Sequence, residues 1–189
     1  AGGPRGKLDV YVQQNPKGNA PVVMFIYGGG WSRGERWEYD FVGRALASRG
    51  FVTVIADYRL VPEVTYPAFL YDIAVAAKWV EDNITTFGGN PDKLFLAGHS
   101  AGAYNAVMLG LDPTFLREAG STLKVRGIAG LAGPYDFYPF EFNEVREAFG
   151  YAPNPEGTQP VRLVTPSAPP MFLAAGNLDL IVKTDNMTA

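Results

Sequence analysis

Lys93-Leu94-Phe95-Leu96-Ala97-Gly98-His99-Ser100-Ala101-Gly102 is a short apolar strand that runs straight into Gly-x-Ser-x-Gly, and small and apolar residues continue to Leu111. A buried strand that turns at once into a helix holds the residue at the turn in a strained conformation and lifts its side chain clear of the sheet. Gly98 and Gly102, two residues either side of Ser100, carry no Cβ where strand and helix crowd together. The start of the helix leaves backbone N–H groups without intrahelical acceptors, aimed at whatever the serine meets. The stretch therefore reads as a nucleophile elbow with Ser100 at its apex. A plain Gly-Ser loop without chemistry would carry the same letters; the strand before and the helix after separate the two readings.

Upstream, residues 21–27 (Pro-Val-Val-Met-Phe-Ile-Tyr) form a continuous apolar run, suited to a strand covered on both faces, that ends in Gly28-Gly29-Gly30-Trp31. Three glycines after a buried strand are costly unless the backbone must approach something closely. They lack the Gly-x-Gly-x-x-Gly spacing of a dinucleotide site and the Gly-Lys-Ser/Thr ending of a phosphate loop. They match a loop that points backbone N–H groups at a developing oxyanion, with a flexible turn as the alternative.

The remaining chain alternates strands and helices. Residues 8–13 alternate apolar and polar, as a half-exposed edge strand does, and Asn15-Pro16-Lys17-Gly18-Asn19 is turn chemistry, so a hairpin into 21–27 is expected. Residues 38–49 read as a helix with Phe41, Val42, Ala45 and Leu46 on one face and Gly50 as its cap. Residues 51–56 are a buried strand, followed by Asp57-Tyr58-Arg59-Leu60, where Asp57 and Arg59 are expected to pair with each other or to satisfy nearby backbone. Residues 67–87 form a long helix with Phe69, Leu70, Ile73, Ala77 and Val80 at helical spacing, and Asp72 and Glu81 solvated or paired locally. After a short excursion over 112–122, residues 125–131 and 171–175 are strands, with a helix from Val182. Residues 138–160, rich in aromatics, Pro and Gly, read either as an insertion that roofs the site or as a surface helix and loop. The pattern predicts one α/β domain, a mostly parallel sheet with helices on both faces. Ligands meet such sheets beyond the strand carboxyl ends, where the Gly28–Trp31 loop, Ser100 and Asp179 all fall.

The 189 residues are 47% hydrophobic and 19% charged, enough apolar material for a sizeable core, and a net charge of −3 without a basic run argues against nucleic acid and anionic membrane as partners. No apolar run approaches the roughly 20 residues of a membrane span. With one histidine, no cysteine and no carboxylates at ligand spacing, neither a metal site nor a cofactor is expected. The absence of cysteine leans towards the cytoplasm and leaves the compartment open.

Tyr27-Gly28-Gly29-Gly30-Trp31, Asp57-Tyr58-Arg59-Leu60, Gly98-His99-Ser100-Ala101-Gly102 and Gly176-Asn177-Leu178-Asp179 together resemble the α/β-hydrolases, and more narrowly the carboxylesterases of the hormone-sensitive-lipase and bacterial feruloyl-esterase-like groups. The resemblance spans nearly the whole chain. It implies a serine nucleophile at Ser100 and an acid at Asp179, with Asp136 as a rival acid position. It also implies an oxyanion hole from the N–H groups of Gly29, Gly30 and Ala101, and a small-molecule ester as substrate. Tyr27 stands where the family commonly has a histidine that supports the loop, an exchange expected to leave activity in place. Trp31 is expected to wall the acyl pocket or to fill the core. The family orders its triad Ser, acid, His, yet the only histidine is His99, before Ser100 and at a position whose side chain packs beside the elbow. The base, and the C-terminal end of the fold that carries it, are therefore expected outside these residues. A catalytically inactive ligand-binding module and an amide or formamide hydrolase are the rival readings.

Overall fold

In the computed structural model, which describes residues 3–15, 18–177, 179 and 182, six strands form one sheet: β1 (Leu8–Tyr11), β2 (Ala20–Ile26), β3 (Val52–Ala56), β4 (Gly89–His99), β5 (Val125–Leu131) and β6 (Met171–Ala174), in the order β1-β3-β2-β4-β5-β6. Every neighbouring pair is parallel except β1 with β3. The expected hairpin between the first two strands is not formed, because β1 pairs antiparallel with β3, from Leu8↔Ala56 to Tyr11↔Thr53. Burial explains the exchange. All five residues of β3 are buried, whereas all four of β1 are half-buried, so the apolar strand takes the interior position and the alternating one the edge.

Helices cover both faces. On one lie α2 (Ala68–Asn83) and α3 (Ala101–Leu111), with α4 (Thr114–Glu118) stacked on α2 through Tyr71 and Phe115. The other face carries α1 (Asp40–Ala47), preceded by a 3₁₀ turn over Arg36–Tyr39. The buried positions of α1 are Gly43 and Ala47, flanked by half-buried Val42 and Leu46, while Phe41 and Ala45 face solvent. The expected face is therefore rotated by about one residue. The cause is Gly43, whose missing Cβ makes room for the Tyr11 ring; an added Cβ would lie 2.4 Å from it. On this face Phe95 of β4, Leu131 of β5 and Phe172 of β6 remain exposed, and their register puts them on the same side as Ala97 and Ala129. No helix among the described residues is long and apolar enough to cross a membrane.

The charges flanking β3 pair, but not with each other. Asp57 takes the Arg36 backbone N–H (2.9 Å) and the Arg36 guanidinium, which also meets Asp9 at 2.9 Å. Arg59 instead clamps Asp72 of α2 with Nε (2.8 Å) and Nη2 (2.7 Å), and its backbone N–H donates to the same carboxylate (3.0 Å). Each acid thus ties β3 to a different neighbour. Glu81 is held below the usual carboxylate range, first by the Thr122 hydroxyl that donates to it.

The segment after β5 folds back onto the body. Helix α5 (Asn143–Phe149) buries Ala148 and Phe149, and the Ala148 carbonyl accepts from Tyr66 N–H at 2.8 Å. Short 3₁₀ turns over Glu156–Thr158 and Pro160–Arg162 follow, and the Thr158 carbonyl accepts from the Tyr104 hydroxyl of α3 at 2.8 Å. The helix expected from Val182 lies, beyond that residue, outside the described residues.

Candidate active site

The register of the sheet assembles the site. Ile26 at the end of β2 pairs with Gly98 of β4, so the glycine loop leaves its strand beside the elbow. Ser100 sits between β4 and α3 with φ 53° and ψ −123°, the conformation of the first central residue of a type II′ turn, which glycine prefers. Neighbouring contacts enforce it: Ser100 N–H donates to the Leu131 carbonyl at 2.8 Å, and the Ser100 carbonyl accepts from Ala103 and Tyr104 N–H at 2.9 and 3.2 Å.

Both elbow glycines are required by contact rather than by torsion. A Cβ on Gly98 would lie 2.3 Å from the Gly102 carbonyl oxygen, and one on Gly102 would lie 2.0 Å from the Ile26 carbonyl oxygen. The same packing sets the root of the glycine loop, where a Cβ on Gly28 would meet the His99 carbonyl at 2.8 Å and Ser100 Cβ at 3.0 Å. Beyond that root, Gly29, Gly30 and Trp31 take φ of 130°, 60° and 59°. The Gly29 carbonyl accepts from Ser32 and Arg33 N–H at 3.2 and 3.1 Å, which curls the loop onto itself. Ala101 is the first residue of α3, where backbone N–H groups lack an intrahelical acceptor.

Of the acids, Asp179 lies beyond β6, two strands from Ser100's own, a lateral offset of about 10 Å at ordinary strand spacing. Its N–H donates to Gly176 O at 3.0 Å, and its Oδ1 accepts from Val182 N–H at 2.9 Å, so the carboxylate is oriented by its own turn. Asp136 follows β5 and is exposed. His99 is exposed, and its Nδ1 lies 3.0 Å from the Tyr39 hydroxyl. Among the described residues no group of three or more His, Cys, Asp or Glu has metal-binding geometry.

The residue in the family's histidine position is a packed phenol. Tyr27 is fully buried and stacks on Tyr58 at 4.7 Å. Its hydroxyl accepts from Arg5 Nη1 (3.1 Å) and from Tyr58 N–H (3.4 Å), while Tyr58 OH donates to the Tyr27 carbonyl (2.9 Å). Burial pushes the Tyr27, Tyr58 and Tyr104 hydroxyls above the ordinary phenol range, so none is a phenolate able to take a proton from serine. Tyr27→Phe removes an acceptor of one charged and one neutral donor. It is expected to cost about 1–3 kcal/mol, read as a fall of several degrees in Tm, with kcat of the full-length protein unchanged within about threefold; a loss near 100-fold would make the hydroxyl part of the chemistry.

Trp31 has the surroundings of a core residue. It is 2% exposed, packs edge-on against Tyr104 (5.3 Å) and Phe149 (4.7 Å), and donates from Nε1 to Asn105 Oδ1 at 3.0 Å. Asn105, Tyr39 and Arg5 were not legible as members of the site. A signal existed only for Asn105, the one amide in the apolar run from Ala101 to Leu111.

The BD-FAE family model matches residues 8–188. Isoprenylcysteine alpha-carbonyl methylesterase ICME of Arabidopsis thaliana is 33% identical over 71% of this chain and 33% of its own length. Esterase LipC of Mycobacterium tuberculosis is 30% identical over 96% of this chain and 50% of its own length. The chain thus spans a third to a half of these relatives. Among solved structures, esterase B of Lactobacillus rhamnosis, inhibited by a tributyrin phosphonate, superposes with a TM-score of 0.81 at 21% identity, over 92% of this chain and 60% of that one. The sheet is that of the α/β-hydrolase fold, and the chain belongs to the BD-FAE family.

Proposed function

We propose that residues 1–189 supply the nucleophile, the oxyanion hole and the acid of a serine carboxylesterase that hydrolyses small and medium acyl esters through an acyl-enzyme. The observation that carries this reading is the strained backbone of Ser100 at the β4–α3 junction, beside the Gly28–Trp31 loop. A structural serine has no need of such a conformation. In this reading a histidine outside these residues takes the Oγ proton, and Asp179 orients that histidine. Oγ attacks the ester carbonyl carbon, and the negative charge on the former carbonyl oxygen is held by the N–H groups of Gly29, Gly30 and Ala101. Collapse expels the alcohol, which receives the proton, and water then cleaves the acyl-serine bond by the same route. The segment 138–160, anchored through Phe149 to Trp31, roofs the acyl side of the pocket. The tributyrin phosphonate on the structurally similar esterase B makes butyryl esters the first substrates to try.

The full-length protein is expected to hydrolyse p-nitrophenyl butyrate and to lose that activity in step with attachment of one butyl-type phosphonate, found by peptide mass on Ser100. Attachment elsewhere, or none on folded protein, overturns the reading and leaves the ligand-binding module in its place. Faster turnover of the matching anilide than of the ester moves the activity to amides.

A further inference from the structure

The root and the tip of the glycine loop are held by different means. At the root, the backbone of Gly28 is pressed against His99 and Ser100. Beyond the root the two glycines touch only the loop's own turn and not the sheet or α3: a Cβ on Gly29 would lie 2.1 Å from the Arg33 carbonyl oxygen, and one on Gly30 would meet only Ser32 Oγ, at 3.9 Å. Gly29, Gly30 and Trp31 hold three successive positive φ values there without a ladder to enforce them, and Trp31 does so with a bulky side chain that ordinarily avoids this region. The tip is fastened at Trp31, whose carbonyl accepts from Val61 N–H at 2.9 Å and whose Nε1 donates to Asn105 Oδ1 at 3.0 Å.

Asn105 lies four residues after Ala101 on α3, one turn along the same helical face. The bond at Asn105 therefore joins the two halves of the oxyanion hole, the loop amides and the helix amide. It is made out of water, with Asn105 0% and Trp31 2% exposed, where a hydrogen bond is stronger and more directional. Stability accounts for the amide only as the acceptor of the buried indole N–H. Asn105 Nδ2 is buried without a hydrogen-bond partner, in a helix whose other buried residues are apolar or small apart from Tyr104. A leucine there would leave no orphan donor on the helix but would strand the Trp31 Nε1–H, and only with phenylalanine in place of the indole as well would neither side be stranded. Orientation of the indole adds a reason, because an acceptor at this position fixes which edge of the packed Trp31 ring faces α3 and so the setting of the backbone that carries it.

We propose that Trp31 and Asn105 are positioning residues whose hydrogen bond sets the spacing between the Gly29–Gly30 amides and the Ala101 amide. The kinetic consequence rests on the esterase reading; the tethering of the loop does not. The test compares Asn105→Leu, Trp31→Phe and the double variant in the full-length protein. Each single variant strands one polar group; the double variant strands neither. Its Tm is expected to return to within about 2 °C of wild type. All three variants are expected to lose about 10- to 100-fold in kcat on p-nitrophenyl butyrate, with KM within about threefold, because donors displaced by near 1 Å serve the transition state and not the bound ester. Amide hydrogen exchange over residues 28–33 is expected to accelerate at least about tenfold in all three. Recovery of kcat together with Tm in the double variant assigns the pair to packing alone and overturns the proposal, as does unchanged exchange in the loop. Should wild type show no Ser100-dependent hydrolysis, the esterase reading falls and loop exchange alone decides the tether.

Discussion

Ser100→Gly in the full-length protein is expected to abolish ester hydrolysis and, at the same time, to raise stability. Under the proposed mechanism, loss of Ser100 removes the covalent route and leaves binding and oxyanion stabilisation, a fall on the order of 10⁴- to 10⁶-fold in kcat. The stability change has a separate origin. Ser100 holds φ 53° and ψ −123°, a setting that costs a residue with a Cβ about 1–3 kcal/mol. Glycine relieves that strain and loses roughly 0.5–1 kcal/mol through the greater freedom of its unfolded chain. The net gain is about 1 kcal/mol, or roughly 2–4 °C in Tm for a domain of this size. Ser100→Ala separates the two effects, since it loses the same activity but keeps its Cβ and the strain. Steady-state hydrolysis and thermal melts of the three proteins decide the matter. Retained activity in the alanine variant removes Ser100 from the chemistry; a glycine variant that melts no higher than the alanine variant shows that no strain is stored at the elbow.

What could be read from the sequence was whatever depended on local order. The alternation of apolar runs with helical spacing fixed strands near 21–27, 51–56, 125–131 and 171–175, and the motif with its flanks fixed the elbow. Strand order was not local. The Asn15–Asn19 stretch announces a reversal of direction but says nothing of which strand lies beside β1, and β3 took that place because its five residues are all buried. The pairing of Asp57 with Arg59 failed for the same reason, although Asp57 does satisfy backbone, the Arg36 N–H: the two are two apart in sequence, yet their ionic partners are Arg36 and Asp72, brought in by the turn before α1 and by α2. The face of α1 was misjudged because glycine scores as nothing in an apolar pattern, although Gly43 makes the closest approach of that helix to the sheet. Asn105 was missed because one amide does not disturb the periodicity of an otherwise apolar helix. Each error concerns a contact between residues distant in sequence, and each such contact is supplied by the crossover connections.

Gly102→Ala is expected to be the most damaging single-methyl change in the fold. Two terms oppose each other. Gly102 is the second residue of α3 and has no positive φ, so alanine gains up to about 1 kcal/mol of helix propensity there. Against this, the added Cβ would lie 2.0 Å from Ile26 O and 2.4 Å from Tyr27 O, backbone atoms with no rotamer to escape into. Restoring contact distance requires α3 to withdraw from the end of β2 by about 1 Å, an overpacking that costs 3 kcal/mol or more. The clash wins, and Tm is expected to fall by at least about 6 °C. That same withdrawal separates Ala101 from the Gly29–Gly30 amides, so protein that remains folded should lose on the order of 100-fold in kcat. Gly110→Ala, in the same helix, is the comparison. Its Cβ would meet Ile128 Cδ1 at 2.2 Å, but that atom is the end of a flexible side chain that can turn aside. Its stability should stay within about 1 kcal/mol of wild type, with activity unchanged. If Gly102→Ala melts and turns over like Gly110→Ala, the close seating of α3 on β2 is not what holds the proposed oxyanion hole together.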